Sequence, residues 1–496
     1  MFHSDRLQPC RYLQLPEPEF LSRVQPRPLN NPRLLQLNQP LAQQLGLSER
    51  DFDGINFADH LATPSLPEPI QGFASAYSGH QFGQFNPTLG DGRAMFVGEI
   101  HDLNGVSHEL QLKGSGPTPF SRGFDGRAVI RSVVREYLAS EAMEGLDIPT
   151  TRALAIAISD TPVFREQPEQ AAIMIRTAPS HLRFGSFEHF YSRGMLDHLR
   201  RLSDFCIDHY FPECRTEAAP YAAWFEAVVQ RTARLMAQWQ AVGFCHGVMN
   251  TDNFSILGLT LDYGPYGFLD QYDPEHICNH SDGEGRYAYQ RQPGIGYWNC
   301  LCLAQALSPL LDSTQIENAL AQYEAELQSS YLSLMRAKLG LSDSTDTDKV
   351  DADNQLIRSL LDLLTDQPLD YSRFFRGLSY LHQPEPPTDL DDWLIQTADP
   401  EAVKRWLSHY QQHLSHYEQP NLAAERADNM AATNPKFILR NHLAQQAIEK
   451  AEQGDNTELE RMTHLLQRPF DEHPRFEQYA APSPDWAKSI CVSCSS

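Results

Sequence analysis

From residue 94 the chain reads A-M-F-V-G-E-I, then H-D-L-N-G-V, then S-H-E-L-Q-L-K. Two runs of strand composition joined by a turn containing Asn104 and Gly105 predict a β-hairpin that ends near Lys113. Side chains alternate across a pleated backbone, so Leu110 and Leu112 share one face while Glu109, Gln111 and Lys113 share the other. Lys113 therefore looks over a polar face or cleft. Downstream, Val129, Ile130, Val133, Val134, Tyr137 and Leu138 recur at helical spacing, with Glu136 on the margin of the apolar stripe. A carboxylate placed there faces inward and needs a partner.

Further along, T-R-A-L-A-I-A-I at 151–158 and A-A-I-M-I-R at 171–176 read as strands, the second ending in Arg176. Tyr221 to Gly243 is amphipathic (Trp224, Val228, Thr232, Leu235, Trp239) and predicts a long helix stopped by Gly243 at its C-terminal cap. Helices are also expected over 318–336 and 436–453, and 341–354 reads as a polar, acidic loop or helix start. Residues 1–70 are rich in Pro, Leu and Gln, which suits an extended arm wrapped around a body. The pattern gives an α+β chain: an arm over 1–70, a β-rich lobe over 71–180, a helical lobe over 181–330 and a helical extension over 331–496.

Composition narrows the classes. The 496 residues include 41% of the hydrophobic class, enough to build a large core, and 40 Lys plus Arg against 64 Asp plus Glu, a formal charge of −24. Such a surplus repels phosphate backbones and anionic lipid, so neither nucleic acid nor a membrane is expected as partner. No run approaches the ~20 apolar residues that cross a bilayer, and the N-terminus lacks a signal-peptide pattern. A soluble cytoplasmic protein is expected. Of nine cysteines, only the C-x-C at Cys300 and Cys302 has a paired spacing before the terminal C-V-S-C-S-S, which holds Cys491 and Cys494. Most are expected to be reduced, partly buried thiols.

The densest polar cluster is C-H-G-V-M-N-T-D-N-F-S-I-L-G-L-T-L-D-Y-G at 245–264. From His246 to Asn253 it has the length of the kinase catalytic loop H-R-D-x-x-x-x-N, and Asp262-Tyr263-Gly264 follows as D-F-G does. Either motif alone reads as a turn or a cap. Together, at this separation, they read as a metal-nucleotide site, with Asn253 and Asp262 as hard oxygen ligands for Mg²⁺ or Mn²⁺. Lys113, followed 23 residues later by Glu136, matches the strand lysine and helix glutamate that position triphosphate oxygens. The stretch N-P-T-L-G-D-G-R, with Gly90 and Gly92 only, lacks the kinase G-x-G-x-x-G and by itself reads as a turn, while the loop 115–127 adds Gly116, Gly123 and Gly126, with Arg122 and Arg127, whose exposed backbone N–H groups are of the kind that approach phosphate. One kinase element is missing: the third loop position is Val248, which neither accepts a proton nor orients a hydroxyl. Asp252, one residue before Asn253, is the carboxylate left in the loop.

The strings S-A-Y-S-G-H-Q-F-G-Q-F (75–85), L-G-D-G-R-A (89–94), L-Q-L-K-G-S-G-P-T-P-F-S-R (110–122), H-G-V-M-N-T-D-N-F-S (246–255) and L-D-Y-G-P-Y-G-F-L-D (261–270), with the cysteine ending, resemble the selenoprotein O family. The resemblance implies a two-lobed, protein-kinase-like fold that binds ATP in reversed orientation. It implies transfer of AMP to Ser, Thr or Tyr hydroxyls of proteins with loss of pyrophosphate. By the same resemblance Asp252 is the base, and Asn253 and Asp262 hold Mg²⁺. Lys113, Arg176 and Arg183 hold phosphates, and Gly90, Gly92, Arg93, Asp125 and Gly126 match nucleotide-contacting positions. Many members end in C-x-x-U; here Cys494 fills the last place, and a regulatory bridge to Cys278 and a thiol-redox partner are expected. Two rival readings stay open at this point: an ATP-dependent phosphotransferase, and a non-catalytic nucleotide-binding or redox scaffold.

Overall fold

A computed structural model of the chain describes residues 6–48, 66, 70–342, 346–383, 385–415 and 422–493. Nine strands among them form one sheet: β1 (Leu21–Arg23), β2 (Arg33–Leu37), β3 (Phe73–Gln81), β4 (Gln84–Gly90), β5 (Ala94–His101), β6 (Ser107–Lys113), β7 (Ala128–Val129), β8 (Arg152–Phe164) and β9 (Pro168–Ala178). The order is β1-β3-β5-β6-β9-β8-β2, with β4 on β3 and β7 on β9, and every pairing is antiparallel. The expected hairpin is β5–β6; Asp102 closes its turn by accepting the N–H groups of Asn104 and Val106 at 2.8 Å each.

Successive side chains of β8 feed different cores. Ala153, Ile156 and Ile158 pack with Val133, Val134 and Tyr137 of the helix Ile130–Gly145. Leu154, Ala155 and Ala157 pack with Met95, Val97 and the short helix Gln39–Gln44 on the other side. Apolar groups on both faces explain why this strand reads as an unbroken apolar run rather than an alternating one.

The described part of the segment before residue 70 contributes to both margins of the sheet. β1 pairs with β3 at one margin and β2 with β8 at the other, and Gln8 exchanges backbone hydrogen bonds with Glu99. Residues 1–5, 49–65 and 67–69 of the expected arm lie outside the described residues.

The second half is helical. The helix Pro220–Val242 buries Trp224, Val228, Thr232, Leu235 and Trp239 and ends at Gly243 (φ +77°), a left-handed cap that glycine adopts without steric cost. Directly after it, Phe244–Cys245 pairs with Gly267–Phe268, so a two-rung ladder gathers both ends of the polar loop 246–266. The helix expected over 318–336 is Ser313–Lys338, capped by Asp312, and Thr347–Asp366 begins behind the cap Asp346. The helix expected from 436 starts only at Asn441: Phe437, Ile438, Leu439 and Arg440 are consecutive and all buried, which one face of a helix cannot achieve. The helices Asn441–Glu452 and Thr457–Leu466 return to the sheet half and pack on Ile130–Gly145, where Gln467 donates to Glu141 at 2.7 Å. No helix among the described residues is long and apolar enough to cross a membrane.

Candidate active site

Three sheet-half elements converge on one carboxylate. Lys113 is the last residue of β6, Arg176 lies on β9 in register with Gln111, and Glu136 sits on the buried side of Ile130–Gly145. Lys113 Nζ donates to Glu136 Oε2 and lies 3.8 Å from Asp262 Oδ1. Arg176 Nη1 donates to Asp262 Oδ1, lies 3.3 Å from Glu136 Oε1, and its Nε donates to Gln111 Oε1 at 2.7 Å. Arg183 Nη1 donates both to Asp262 Oδ2 at 2.7 Å and to the Asp252 carbonyl at 2.6 Å. Its guanidinium lies over the Tyr77 ring, 4.6 Å from the centroid.

Charge explains the titration of these groups. Burial alone would raise Asp262, but Arg176, Arg183 and Lys113 overcome it and hold the carboxyl well below the usual range. Burial lowers Lys113 despite Glu136, while Arg176 and Arg183 are held charged against burial, Arg176 by Asp262 and Glu136, Arg183 by Tyr77, Asp262 and Asp91. Asp262 keeps 23% of its side chain exposed, so this point of the cluster is open to a ligand. It sits at φ +55°, a left-handed conformation that Asp tolerates better than most residues.

The polar loop supplies the other half. His246 is buried, bonded through Nε2 to the Leu261 carbonyl at 2.8 Å and stacked on Trp239, so it ties the loop's two arms together. Thr251–Asn253 form one 3-10 turn, and Asn253 Nδ2 donates to the Val248 carbonyl at 2.9 Å. The Asp252 carboxyl is buried: Oδ2 accepts from Gln81 Nε2 at 3.4 Å, and Oδ1 has no hydrogen-bond partner. Burial pushes this group up to about 7, with Arg183 offsetting part of the effect. β3 abuts the turn closely because residue 79 is glycine; a Cβ there would stand 2.9 Å from Thr251 Oγ1 and 3.1 Å from Asp252 Oδ1.

The remaining predicted positions are distributed around this centre. Gly90 and Gly92 flank Asp91, a buried carboxyl that accepts from Ser75 N and Oγ at 2.9 and 2.6 Å, and both glycines lie against Phe120. Arg93 is exposed, and its backbone carbonyl accepts from Gly114 at 2.7 Å. Gly126 lies against the Gly116 backbone, whereas Asp125 is exposed and bonded to Arg165 at 2.8 and 2.9 Å. Cys278 is buried behind the loop, its Sγ donating to the Cys245 carbonyl at 3.3 Å, and burial raises its pKa well above the ordinary thiol value. His280 N donates to the Val492 carbonyl at 3.0 Å, so the tail passes two residues from Cys278; Cys491 is exposed, and the expected bridge through Cys494 lies outside the described residues. Tyr77, Gln81 and Asp91 were not singled out by spacing. Each falls inside a string that carries the resemblance, yet none has a periodicity or motif role that marks it.

A strand lysine paired to a helix glutamate, facing an Asp-Tyr-Gly carboxylate across a lobe boundary, defines a two-lobed, kinase-like nucleotide-binding fold. Residues 8–468 match the family model described as protein adenylyltransferase SelO, and the chain belongs to that family. The protein nucleotidyltransferase YdiU of Thioalkalivibrio sulfidiphilus is 50% identical over 495 residues, and those of Aliivibrio fischeri (strain ES114) and Vibrio parahaemolyticus are 49% and 47% identical over 486 and 490 residues. In each case the match covers 98% of both chains.

Proposed function

We propose that this chain transfers AMP from ATP to Ser, Thr or Tyr hydroxyls of proteins. The observation that carries the reading is the buried Asp252 carboxyl, with one oxygen unpartnered and a pKa near neutrality, beside a cluster of three cations. A base at this pKa exchanges protons efficiently at physiological pH. In the proposed step the substrate hydroxyl gives its proton to Asp252 while its oxygen bonds to the α-phosphorus. The bond from that phosphorus to the β-bridging oxygen breaks, and pyrophosphate leaves with its electron pair. Lys113, Arg176 and Arg183 bind the departing phosphates through charge-assisted hydrogen bonds.

The donor set suits a hard divalent cation. Asn253 offers an amide oxygen and Asp262 an ionised, partly exposed carboxylate, the ligand types that Mg²⁺ takes together with phosphate oxygens. When bound, such an ion neutralises phosphate charge. Mn²⁺ accepts the same donors. The glycines at 90, 92 and 126, with Arg93, belong in this reading to the nucleotide cover, and residues 71–180 to the nucleotide-binding lobe. Asp125 enters only through its backbone loop, since its carboxylate is engaged by Arg165. Cytoplasmic residence and thiol exchange at the cysteine ending complete the reading and rest on the sequence and family.

Incubation with ATP labelled at the α or the γ phosphate tests it. Covalent label from the α position alone is expected. Label from the γ position alone would establish phosphoryl transfer instead, and no label from either would leave a nucleotide-binding scaffold. Val248, where a kinase has its catalytic Asp, speaks against the γ outcome.

A further inference from the structure

Outside the site just described, three metal-ligating side chains meet where β3, the helix Phe184–Ser192 and the helix Gln292–Leu307 touch. They are His80, Glu188 and Cys302, whose ligand atoms all lie within 4.8 Å of one another. Glu188 is 3% exposed. Its Oε1 is 2.5 Å from His80 Nδ1, but its Oε2 is buried with no hydrogen-bond partner. An unpartnered carboxylate oxygen in a protein interior carries a desolvation cost that a cation offsets. His80 retains 20% of its side chain exposed, which gives an ion a way in.

We propose that His80, Glu188 and Cys302 form a binding site for a borderline transition-metal ion such as Zn²⁺, distinct from the oxygen-donor site at Asn253 and Asp262. One imidazole nitrogen, one thiolate and one carboxylate are the donors that zinc prefers and magnesium does not, and a water at the fourth position completes a tetrahedral shell. Binding forms metal–N, metal–O and metal–S bonds, displaces the His80–Glu188 hydrogen bond, and releases the Cys302 thiol proton to solvent. Burial, and next to it the Glu188 carboxylate, keep that thiol protonated in the metal-free protein, at about 12, with the Arg286 charge offsetting part of the effect. The ion would pin the end of β3, where His80 N donates to Thr251 Oγ1 at 2.7 Å and Gln81 reaches Asp252, to the helices beneath it.

Cobalt is the probe, because a thiolate ligand to Co²⁺ gives a charge-transfer absorption in the near ultraviolet and oxygen ligands do not. The full chain carrying Cys491→Ser and Cys494→Ser is titrated with Co²⁺ in excess Mg²⁺, which removes the terminal thiols and fills the oxygen-donor site. One equivalent of Co²⁺ with a charge-transfer band, bleached by one equivalent of Zn²⁺, is expected. Cys302→Ser abolishes the band. Glu188→Gln, which keeps the volume of the buried side chain, weakens Co²⁺ binding at least tenfold while its metal-free melting midpoint stays within a few degrees. Absence of the band in the parent chain overturns the proposal. So does a band that survives Cys302→Ser, above all one lost with Cys10→Ser, since Cys10 stands beside Glu99 and Glu109 in a second buried cluster.

Discussion

At the scale of single residues, Asp252 answers two opposed demands in the proposed mechanism, since the burial that would suit it to act as the base also makes its charge costly. Its folded pKa of about 7 lies above the ordinary carboxylate value, so the unfolded chain loses this proton first as pH rises. The native state is therefore penalised progressively between about pH 4 and pH 7, by on the order of 4 kcal/mol at most. Asp252→Asn keeps the shape and removes the charge. It is expected to lower AMP transfer by about 10² to 10⁴ and to melt above the parent at pH 8, with a smaller gap at pH 5. Equal gaps at the two pH values would show that the carboxyl is not held protonated by burial. In the unaltered chain, transfer is expected to rise with pH through about 7, because only the carboxylate accepts the hydroxyl proton.

At the scale of elements, the helix Ile130–Gly145 carries Glu136 on one side and receives the two C-terminal helices on the other. The fit at its end is tight: a Cβ on Gly145 would stand 1.9 Å from the Leu466 carbonyl oxygen. Gly145→Ala therefore forces the backbones apart and is expected to cost about 1–3 kcal/mol, measured by chemical denaturation. It should also weaken ATP binding, read by titration calorimetry, because Glu136 moves with its helix. An unchanged denaturation midpoint would mean that the C-terminal pair is a loose attachment. Sequence reached this helix, the hairpin before it and the cap at Gly243 because periodicity and glycine chemistry are local signals. It also reached Lys113 and Glu136 as partners, through their spacing. Arg176 and Arg183 came only from family likeness: a strand arginine reads the same whether it faces solvent or a carboxylate 86 residues away. The return of residues 441–466 to the first lobe left no local trace, and the helix expected from 436 begins only at Asn441 because the burial of four consecutive residues, Phe437 to Arg440, is set by tertiary packing rather than by local pattern. Asp125 matched a nucleotide-contacting position, but what a side chain pairs with across 40 residues, here Arg165, is not written in either neighbourhood.

At the scale of the whole molecule, residues 6–37 act as edging for the sheet. β1 and β2 occupy its two margins, and Tyr12 stacks on Phe73 and Phe96 at 5.7 and 6.2 Å. Without them β8 would present unpaired N–H and C=O groups along a strand buried in apolar surroundings, a template for pairing between chains. Deletion of residues 1–37 is expected to shift the protein from a discrete species to aggregates in size-exclusion chromatography with light scattering. A monodisperse product melting with the full chain would rule out this role.

The clasp of the last helices around Ile130–Gly145 has a mechanical meaning as well. Kinases switch by swinging the corresponding helix so that its glutamate leaves the lysine. Here the chain's own far end holds that lever from behind, with Gln467 anchored on Glu141 and Asn456 on the Leu35 carbonyl. The brace holds Glu136 in contact with Lys113. A catalyst braced in this way has its throttle welded open at that joint, so any control over its output has to act at the cleft mouth or on the supply of what enters it.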